Sequence, residues 1–315
     1  MRIKRNFGEV ITAMVTPFCR RDKNHVDFEG VARLANHLLE NGTDTLLING
    51  STGEGPQLTA VERISILDAV RERTPEGTKI IVSTGSSNTD DTIKRSCHQA
   101  YDVGADAVLI SVPAYIKPPQ KDLFIHFDTI AKASPKMPII IYNIPGRAAA
   151  EILPETVAQL ARENPNIIGI KQSMGDMDKV SEMKALCPPN FQIYSGDDSL
   201  TLPMLSLGAK GVISVASHLE GPLIKEMVHH FKSGHVKQAT EIHHLLFPLC
   251  KALFMTSNPI PVKEALYRKG MIKSADLRTL SPMSPQNKRV FGKALARFEA
   301  QKQAFLMKQA ERERS

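Results

Sequence analysis

Hydrophobic and polar positions along the chain alternate between two patterns. Short, nearly continuous apolar runs rich in Val and Ile recur at residues 10–18, 44–50, 78–85, 107–113, 138–145, 166–172, 191–198 and 211–217. Each is followed by a stretch with apolar residues at helical spacing: 27–40, 59–73, 89–103, 120–133, 154–163, 176–186, 199–207 and 219–233. Local signals punctuate the helices. Asn41-Gly42 closes the first, Thr59 and Glu62 are spaced as a capping box for the second, and Pro154 opens the fifth. Apolar strands without polar alternation are covered on both faces, which means a parallel sheet under helices. Eight units within residues 10–233 predict a closed (β/α)8 TIM barrel rather than an open doubly wound sheet. No G-x-G-x-x-G follows the first strand, against a dinucleotide-binding fold. From Gly234 the strands stop, and helical patterns cover 235–254, 261–269 and 284–307. The expected division is a catalytic barrel over 1–233 and a C-terminal helical subdomain over 234–315. The tail QAERERS reads as a frayed, solvated end.

Composition narrows the class. With 42% hydrophobic and 23% charged residues the chain can bury a large core. The net charge of +7 suits anionic substrates. No basic stripe interleaved with aromatics appears, so nucleic acid is not an expected partner. The N-terminal MRIKRNFGEVITAMVTPF reads as a lead-in to the first strand, because Glu9 and Pro17 interrupt its apolar character. No run approaches the roughly 18 apolar residues of a membrane span, so no membrane association is expected. Cys19, Cys97, Cys187 and Cys250 are far apart and outside any metal-ligand spacing, which reads as reduced thiols and a cytoplasmic location.

In a barrel of this kind the site lies at the C-terminal ends of the strands. The residues there are Thr16, the loop Gly50-Ser51-Thr52-Gly53-Glu54, Ser111, Tyr115, Tyr142, Arg147, Lys171, Gly196-Asp197-Asp198 and Ser214. The set holds one candidate amine nucleophile, two phenols, one guanidinium and no histidine. Lys171 ends the strand NIIGIKQ. Apolar surroundings favour a neutral amine, and a neutral amine attacks carbonyls to form a Schiff base. Taken alone, this stretch fits a lysine snorkelling to solvent better; its neighbours change that. Tyr142 ends the adjacent strand, where its phenol can pass protons to a carbinolamine or simply pack with its hydroxyl tied to backbone. The GSTGE loop is either a nest of N–H groups for a carboxylate or a plain turn. Arg147 is either a fork for a second carboxylate or a surface ion pair. Asp197 and Asp198 are adjacent and point to different sides, a poor metal pair. Neither metal nor cofactor is expected. Together the groups match a class I aldolase acting on a 2-oxo acid.

The ordered motifs VTPF, GSTGE, YNIPGR, GIK, SGDD, GVISV and NPIPVK resemble those of the dihydrodipicolinate synthase / N-acetylneuraminate lyase family over nearly the whole chain. The resemblance implies a lyase in which Lys171 forms a Schiff base with pyruvate and Tyr142 is the general acid/base. It implies that Thr52 and Tyr115 complete a proton relay, Tyr115 reaching in from a neighbouring subunit. Ser51 and the backbone of Thr52 would bind the pyruvate carboxylate, and the Ile213 carbonyl would face the substrate. Gly196 joins the substrate-binding set. Arg147 would bind the carboxylate of L-aspartate 4-semialdehyde. The product would be 4-hydroxy-tetrahydrodipicolinate, in lysine and diaminopimelate biosynthesis. Self-association is implied, as a homotetramer built from dimers or as a dimer.

Two features point elsewhere within the family. GSTGE and Gln172 resemble the sialic acid lyase branch, whereas Arg147, SGDD and NPIPVK resemble the synthase branch. The arginine is a functional requirement and outweighs one hydroxyl exchange, so the synthase reading is favoured over N-acetylneuraminate lyase or another 2-oxo acid aldolase. A catalytically silent barrel with a binding role is disfavoured by the full relay. At the positions that bind inhibitory lysine in regulated synthases this chain has Ala114, Ser87, Asp91, Ala60 and Arg63, which implies weak or absent lysine inhibition. No role is assigned to the tail after Ala300.

Overall fold

In a computed structural model of the chain the eight apolar runs pair side by side and close on themselves. The structure describes residues 6–20 and 22–314; the side chains of residues 97–99 and 312–314 lie outside that description. Strand β1 (Val10–Ala13) is followed by a small antiparallel hairpin, β2 (Phe18–Cys19) and β3 (Asp22–Val26), and helix α1 (Phe28–Glu40). Then come β4 (Thr45–Ile48), α2 (Ala60–Arg73), β5 (Lys79–Ser83) and α3 (Thr89–Ile93), which runs on in wider π-helical turns over Lys94–Ala100. Next are β6 (Ala107–Ser111), α4 (Gln120–Ala133), β7 (Ile139–Asn143), the short α5 (Pro145–Ala148) and α6 (Pro154–Glu163). The series continues with β8 (Ile167–Gln172), α7 (Met177–Leu186), β9 (Gln192–Ser195), α8 (Thr201–Ser206), β10 (Gly211–Ser214) and α9 (Ser217–Lys232). Helices α10 (Val236–Leu253), α11 (Ile260–Arg268) and α12 (Pro285–Arg314) complete it. The barrel order is β1-β10-β9-β8-β7-β6-β5-β4, and its strands are parallel. This is the expected (β/α)8 barrel with C-terminal helices.

The apolar runs split between two cores because side chains alternate across a strand. Ile11, Leu47, Ile81, Leu109, Ile140, Ile168 and Ile213 fill the barrel interior. Val10, Leu46, Ile80, Val108, Ile139, Ile167 and Val212 face outward into the layer under the helices. That outer core also takes in Ile242, Leu249, Phe291 and Phe298, so α10 and α12 share it with the barrel helices. Helix α9 ends at Lys232 and α10 begins at Val236.

One interruption of the alternation matters for function. Along β7 and β8 the register runs Ile139↔Ile167 and then Ile140↔Gly169, so β8 carries one extra residue there. Ile168 faces the interior before this bulge. Strict alternation from Ile168 would point Gln172 inward and Lys171 outward. The extra residue resets the phase, so that Ile170 faces the outer core and Lys171 pairs with the inward-facing Tyr142.

Local expectations met their physical limits at the edges. The first strand ends at Ala13 rather than running to residue 18, because Pro17 accepts from Asp27 N (3.0 Å) at the start of α1 and the chain turns into the hairpin. The hairpin strand DKNHV is mostly exposed and carries no apolar run to announce it. The capping box of α2 is present, and Gly42 takes the left-handed φ of +88° that stops α1. The backbone of α12 is helical to Arg314. Cys19, Cys187 and Cys250 are free thiols, and the Cys97 side chain lies outside the described residues. Among the described residues no helix is long and apolar enough to cross a membrane.

Candidate active site

Lys171 is buried within the barrel mouth at 6% exposure, and its Nζ sits 4.3 Å from the centroid of the Tyr142 ring. The pairing follows from register, since Tyr142 and Lys171 are Cα partners on β7 and β8. A snorkelling lysine is thereby ruled out. Gly196, just past β9, lies against this amine: a Cβ there would fall 3.1 Å from Lys171 Cε and 1.8 Å from Ser173 Oγ. Only glycine leaves both in place. Its N–H donates to Gln172 O (2.8 Å), which holds the turn next to the strand.

The two aspartates of SGDD have separate tasks. Asp198 is buried; it accepts from the Ser214 hydroxyl and from the N–H groups of Val215 and Ala216 (both 3.1 Å), tying β9 to the start of α9. Asp197 is less deeply buried and also feels the charge of Lys171. Burial pushes its carboxyl above the usual carboxylate range, the Lys171 charge opposes that, and Asp198 adds to it.

The GSTGE loop follows β4 in a tight fold. Asn49 and Glu54 adopt left-handed φ values of 58° and 54°, and Gly55 N donates back to Gly50 O (3.0 Å). Gly55 can only be glycine, because a Cβ would lie 1.8 Å from Asn49 O. Thr16 donates to Gly53 O (2.6 Å), so this strand-end hydroxyl shapes the loop. Thr52 is 3% exposed and its Oγ1 accepts from Asn258 Nδ2 at 2.8 Å.

Asn258 opens the NPIPVK motif, to whose residues sequence reasoning gave no place in the site. The Asn258 carbonyl accepts from Arg147 Nη2 (3.2 Å), so one residue touches both the Thr52 hydroxyl and the arginine. Five residues on, Lys263 is fully buried and its Nζ lies 2.5 Å from Glu54 Oε1, with a further bond to Asp276 O (2.9 Å). The second Glu54 oxygen accepts from Arg278 N (2.9 Å). A clamp from the C-terminal region therefore holds the GSTGE loop and Arg147. The available signal was a lysine on the otherwise apolar face of α11.

Other expected residues fall into place unevenly. Ser51, Ser111, Tyr142 and Arg147 line one open cavity of about 440 Å³ at the C-terminal end of the barrel. Ile213 packs inside the barrel with Tyr142. Tyr115 is not brought to the cluster within its own chain: it has φ 76°, its N–H donates to Ala148 O (3.1 Å), and its side chain is 91% exposed. Gln172 points away from Lys171. Its Oε1 accepts from Asn143 Nδ2 (3.0 Å) on the outer side of the sheet, and Asn143 in turn holds Ile152 N (3.3 Å). One of the two features that suggested the sialic acid lyases, Gln172, is thus a structural tie behind the barrel wall.

Chemically, the cluster presents a buried amine, a phenol in contact with it, a constrained hydroxyl and an arginine at the rim. The model of the dihydrodipicolinate synthetase family matches residues 6–297. The chain is 50% identical over 264 residues to the 4-hydroxy-tetrahydrodipicolinate synthase of Acaryochloris marina, covering 84% of this chain and 88% of that protein. It is 46% identical over 283 residues to the enzyme of that name from Prochlorococcus marinus, covering 90% and 93%. Among solved structures, that of the Aquifex aeolicus dihydrodipicolinate synthase superposes with a TM-score of 0.89 at 40% identity, covering 93% of this chain and 98% of the other. The Cyanidioschyzon merolae enzyme, solved with lysine bound, gives 0.90 at 38% identity and the same two coverages, 93% and 98%. The chain belongs to the dihydrodipicolinate synthetase family.

Proposed function

We propose that this protein is a lyase that condenses pyruvate with L-aspartate 4-semialdehyde to give 4-hydroxy-tetrahydrodipicolinate, a step of lysine and diaminopimelate biosynthesis. The observation that carries this reading is Lys171, buried in the barrel mouth with its Nζ 4.3 Å from the Tyr142 ring. In the mechanism, the neutral Lys171 amine attacks C2 of pyruvate. Tyr142 delivers a proton to the carbinolamine oxygen, water leaves, and a Schiff base remains. Loss of a C3 proton gives the enamine, whose carbon attacks the semialdehyde carbonyl. The substrate's own amine then attacks C2, closes the ring and releases Lys171. Thr52 relays protons to and from Tyr142, and Tyr115 of the partner subunit completes the relay. Ser51 and the backbone of Thr52 hold the pyruvate carboxylate, the Ile213 carbonyl and Gly196 bound the acceptor, and Arg147 forks onto the semialdehyde carboxylate.

In this reading the active form is a homo-oligomer, a dimer or a tetramer built as a dimer of dimers, in the cytoplasm, with residues 1–233 as the catalytic barrel and 234–315 as its helical appendage. The exposure of Tyr115 supports it. Lysine inhibits weakly or not at all: Asp91 is engaged by Arg95 (2.5 Å), and Arg63 presents a cation where a cationic effector would have to sit.

Borohydride reduction with pyruvate present tests the central step. One pyruvate-derived adduct is expected, on the peptide carrying Lys171, and none in Lys171→Ala. An unmodified Lys171 overturns the reading. An aldehyde panel separates the branches: turnover of N-acetylmannosamine without turnover of the semialdehyde reverses the assignment.

A further inference from the structure

Helix α12 runs to Arg314, past residue 297 where the match to the family ends, and the chemistry above gives its last turns no task. Beyond 297, Phe298 is buried, Lys302, Phe305 and Gln309 are half-buried, and the positions between them are mostly exposed. Spacings of three and four residues make these one inward-facing stripe. Phe298 and Phe305 pack on the outer core. Gln309 Nε2 donates to Glu226 Oε1 (3.1 Å), and Lys302 Nζ lies 2.9 Å from Glu220 Oε1 and 2.7 Å from its Oε2. Both glutamates belong to α9.

Glu220 sits where α9 is broken. Its φ of −137° and ψ of 39° are not helical, and Pro222 follows. The break is wedged against the end of α1, since a Cβ on Gly221 would lie 2.1 Å from Asn41 O. Glu220 is also 2% exposed. Burial pushes its carboxyl above the ordinary range, and Lys302 opposes that. Lys269, the next cation to act on it, is held by Glu299 at 2.9 Å. Without Lys302 the carboxylate must take a proton or turn toward water. In either case the break loses its anchor on α12.

The same turn of α9 closes the end of β10. Glu220 N donates to Ala216 O (3.0 Å), and Ser217 N donates to Ser214 Oγ (2.8 Å). The hydroxyls of Ser217 and Thr12 bond at 2.8 Å, which ties the turn to β1 as well. Ser214 follows Ile213, whose side chain packs with Tyr142 inside the barrel.

We propose that Lys302 is a positioning residue: through Glu220 it fixes the first turn of α9, and with it the end of β10, where the Ile213 carbonyl faces the acceptor. The last turns of α12 thereby act on the barrel mouth from behind. The part about the acceptor rests on the condensation proposed above; the fixing of β10 does not.

Amide hydrogen exchange of the full-length protein, read by mass spectrometry on peptides covering 211–220, tests the fixing directly. Lys302→Met should speed exchange there by about tenfold or more, with the GSTGE loop unchanged. Lys302→Arg should restore protection, and so should Lys302→Met combined with Glu220→Gln, because a neutral amide needs no cation. Gln309→Ala, on the same helix, should leave 211–220 as in wild type. Circular dichroism checks folding, and Lys302→Gln serves the same comparison where Lys302→Met does not fold. Kinetics test the consequence. In Lys302→Met the KM for the semialdehyde should rise by about threefold to tenfold while that for pyruvate stays within about twofold, whereas a mere loss of folded enzyme lowers kcat alone. Unchanged exchange at 211–220, an equal effect of Gln309→Ala, or an unchanged semialdehyde KM overturns the proposal. Faster exchange in a protein whose wild type does not turn over the semialdehyde upholds the fixing of β10 and overturns the condensation instead.

Discussion

Lys171 illustrates how one residue acquires its role. Nothing in its own strand distinguishes a buried amine from a snorkelling cation; the contact with Tyr142 does. Asn258 is the less obvious case. By donating to Thr52 Oγ1 it occupies one lone pair and leaves the Thr52 proton free to point elsewhere. Asn258→Ala removes that constraint while leaving Lys171 and Tyr142 untouched. Turnover is expected to fall by about tenfold to a hundredfold, with a smaller change in the KM for pyruvate. Steady-state kinetics check this. An unchanged kcat would remove Asn258 from the relay. Gln172 had looked informative because it adjoins the nucleophile, but adjacent strand residues face opposite sides, and its bond to Asn143 places it outside the barrel.

At the level of elements, His218 pins the exit of β1 to the first turn of α9. Its Nε2 accepts from Val15 N (3.1 Å) and its Nδ1 donates to Val215 O (2.9 Å). Full burial pushes its pKa down to about 4 from 6.5. The native ring therefore stays neutral where the unfolded ring takes a proton. Between pH 6.5 and about 4 the unfolded state binds the extra proton, so this group costs stability as pH falls through that window, up to about 1.4 kcal/mol per pH unit. His218→Gln should flatten the pH dependence by that slope relative to wild type, as read from urea unfolding at several pH values. An identical slope in both proteins would mean that the native ring is protonated. The bulge in β8 belongs to this scale too. A single extra residue decides which of two polar side chains faces into the barrel, and no hydrophobic pattern reports it.

For the molecule as a whole, the C-terminal helices do more than cover the barrel. Lys263 on α11 and Glu54 after β4 form an ion pair with 0% and 4% side-chain exposure. Breaking it with Lys263→Met leaves a buried carboxylate without its cation and should cost about 3–5 kcal/mol in chemical unfolding, whereas Lys263→Met combined with Glu54→Gln should recover much of that. Equal losses in both variants would show that the charge pairing is not the reason. Assembly has its own test. Tyr115→Phe and Lys171→Ala are each expected to be nearly inactive alone, but co-expressed chains should regain activity, because a mixed oligomer contains one site with an intact Lys171 and an intact Tyr115. No recovery on mixing would place Tyr115 outside the partner's site. The sequence by itself determined the barrel, since eight covered apolar strands admit few other arrangements, and it placed Ser51, Tyr142, Arg147 and Lys171 at strand ends. Tertiary structure alone decided the phase of β8, the outward aim of Gln172 and the clamp through Asn258 and Lys263. The physical reason is the same in each case. Hydrophobic periodicity records which face of an element is buried, but a bulge, a hydrogen bond across 206 residues between Thr52 and Asn258, or a buried ion pair depends on where two distant segments meet.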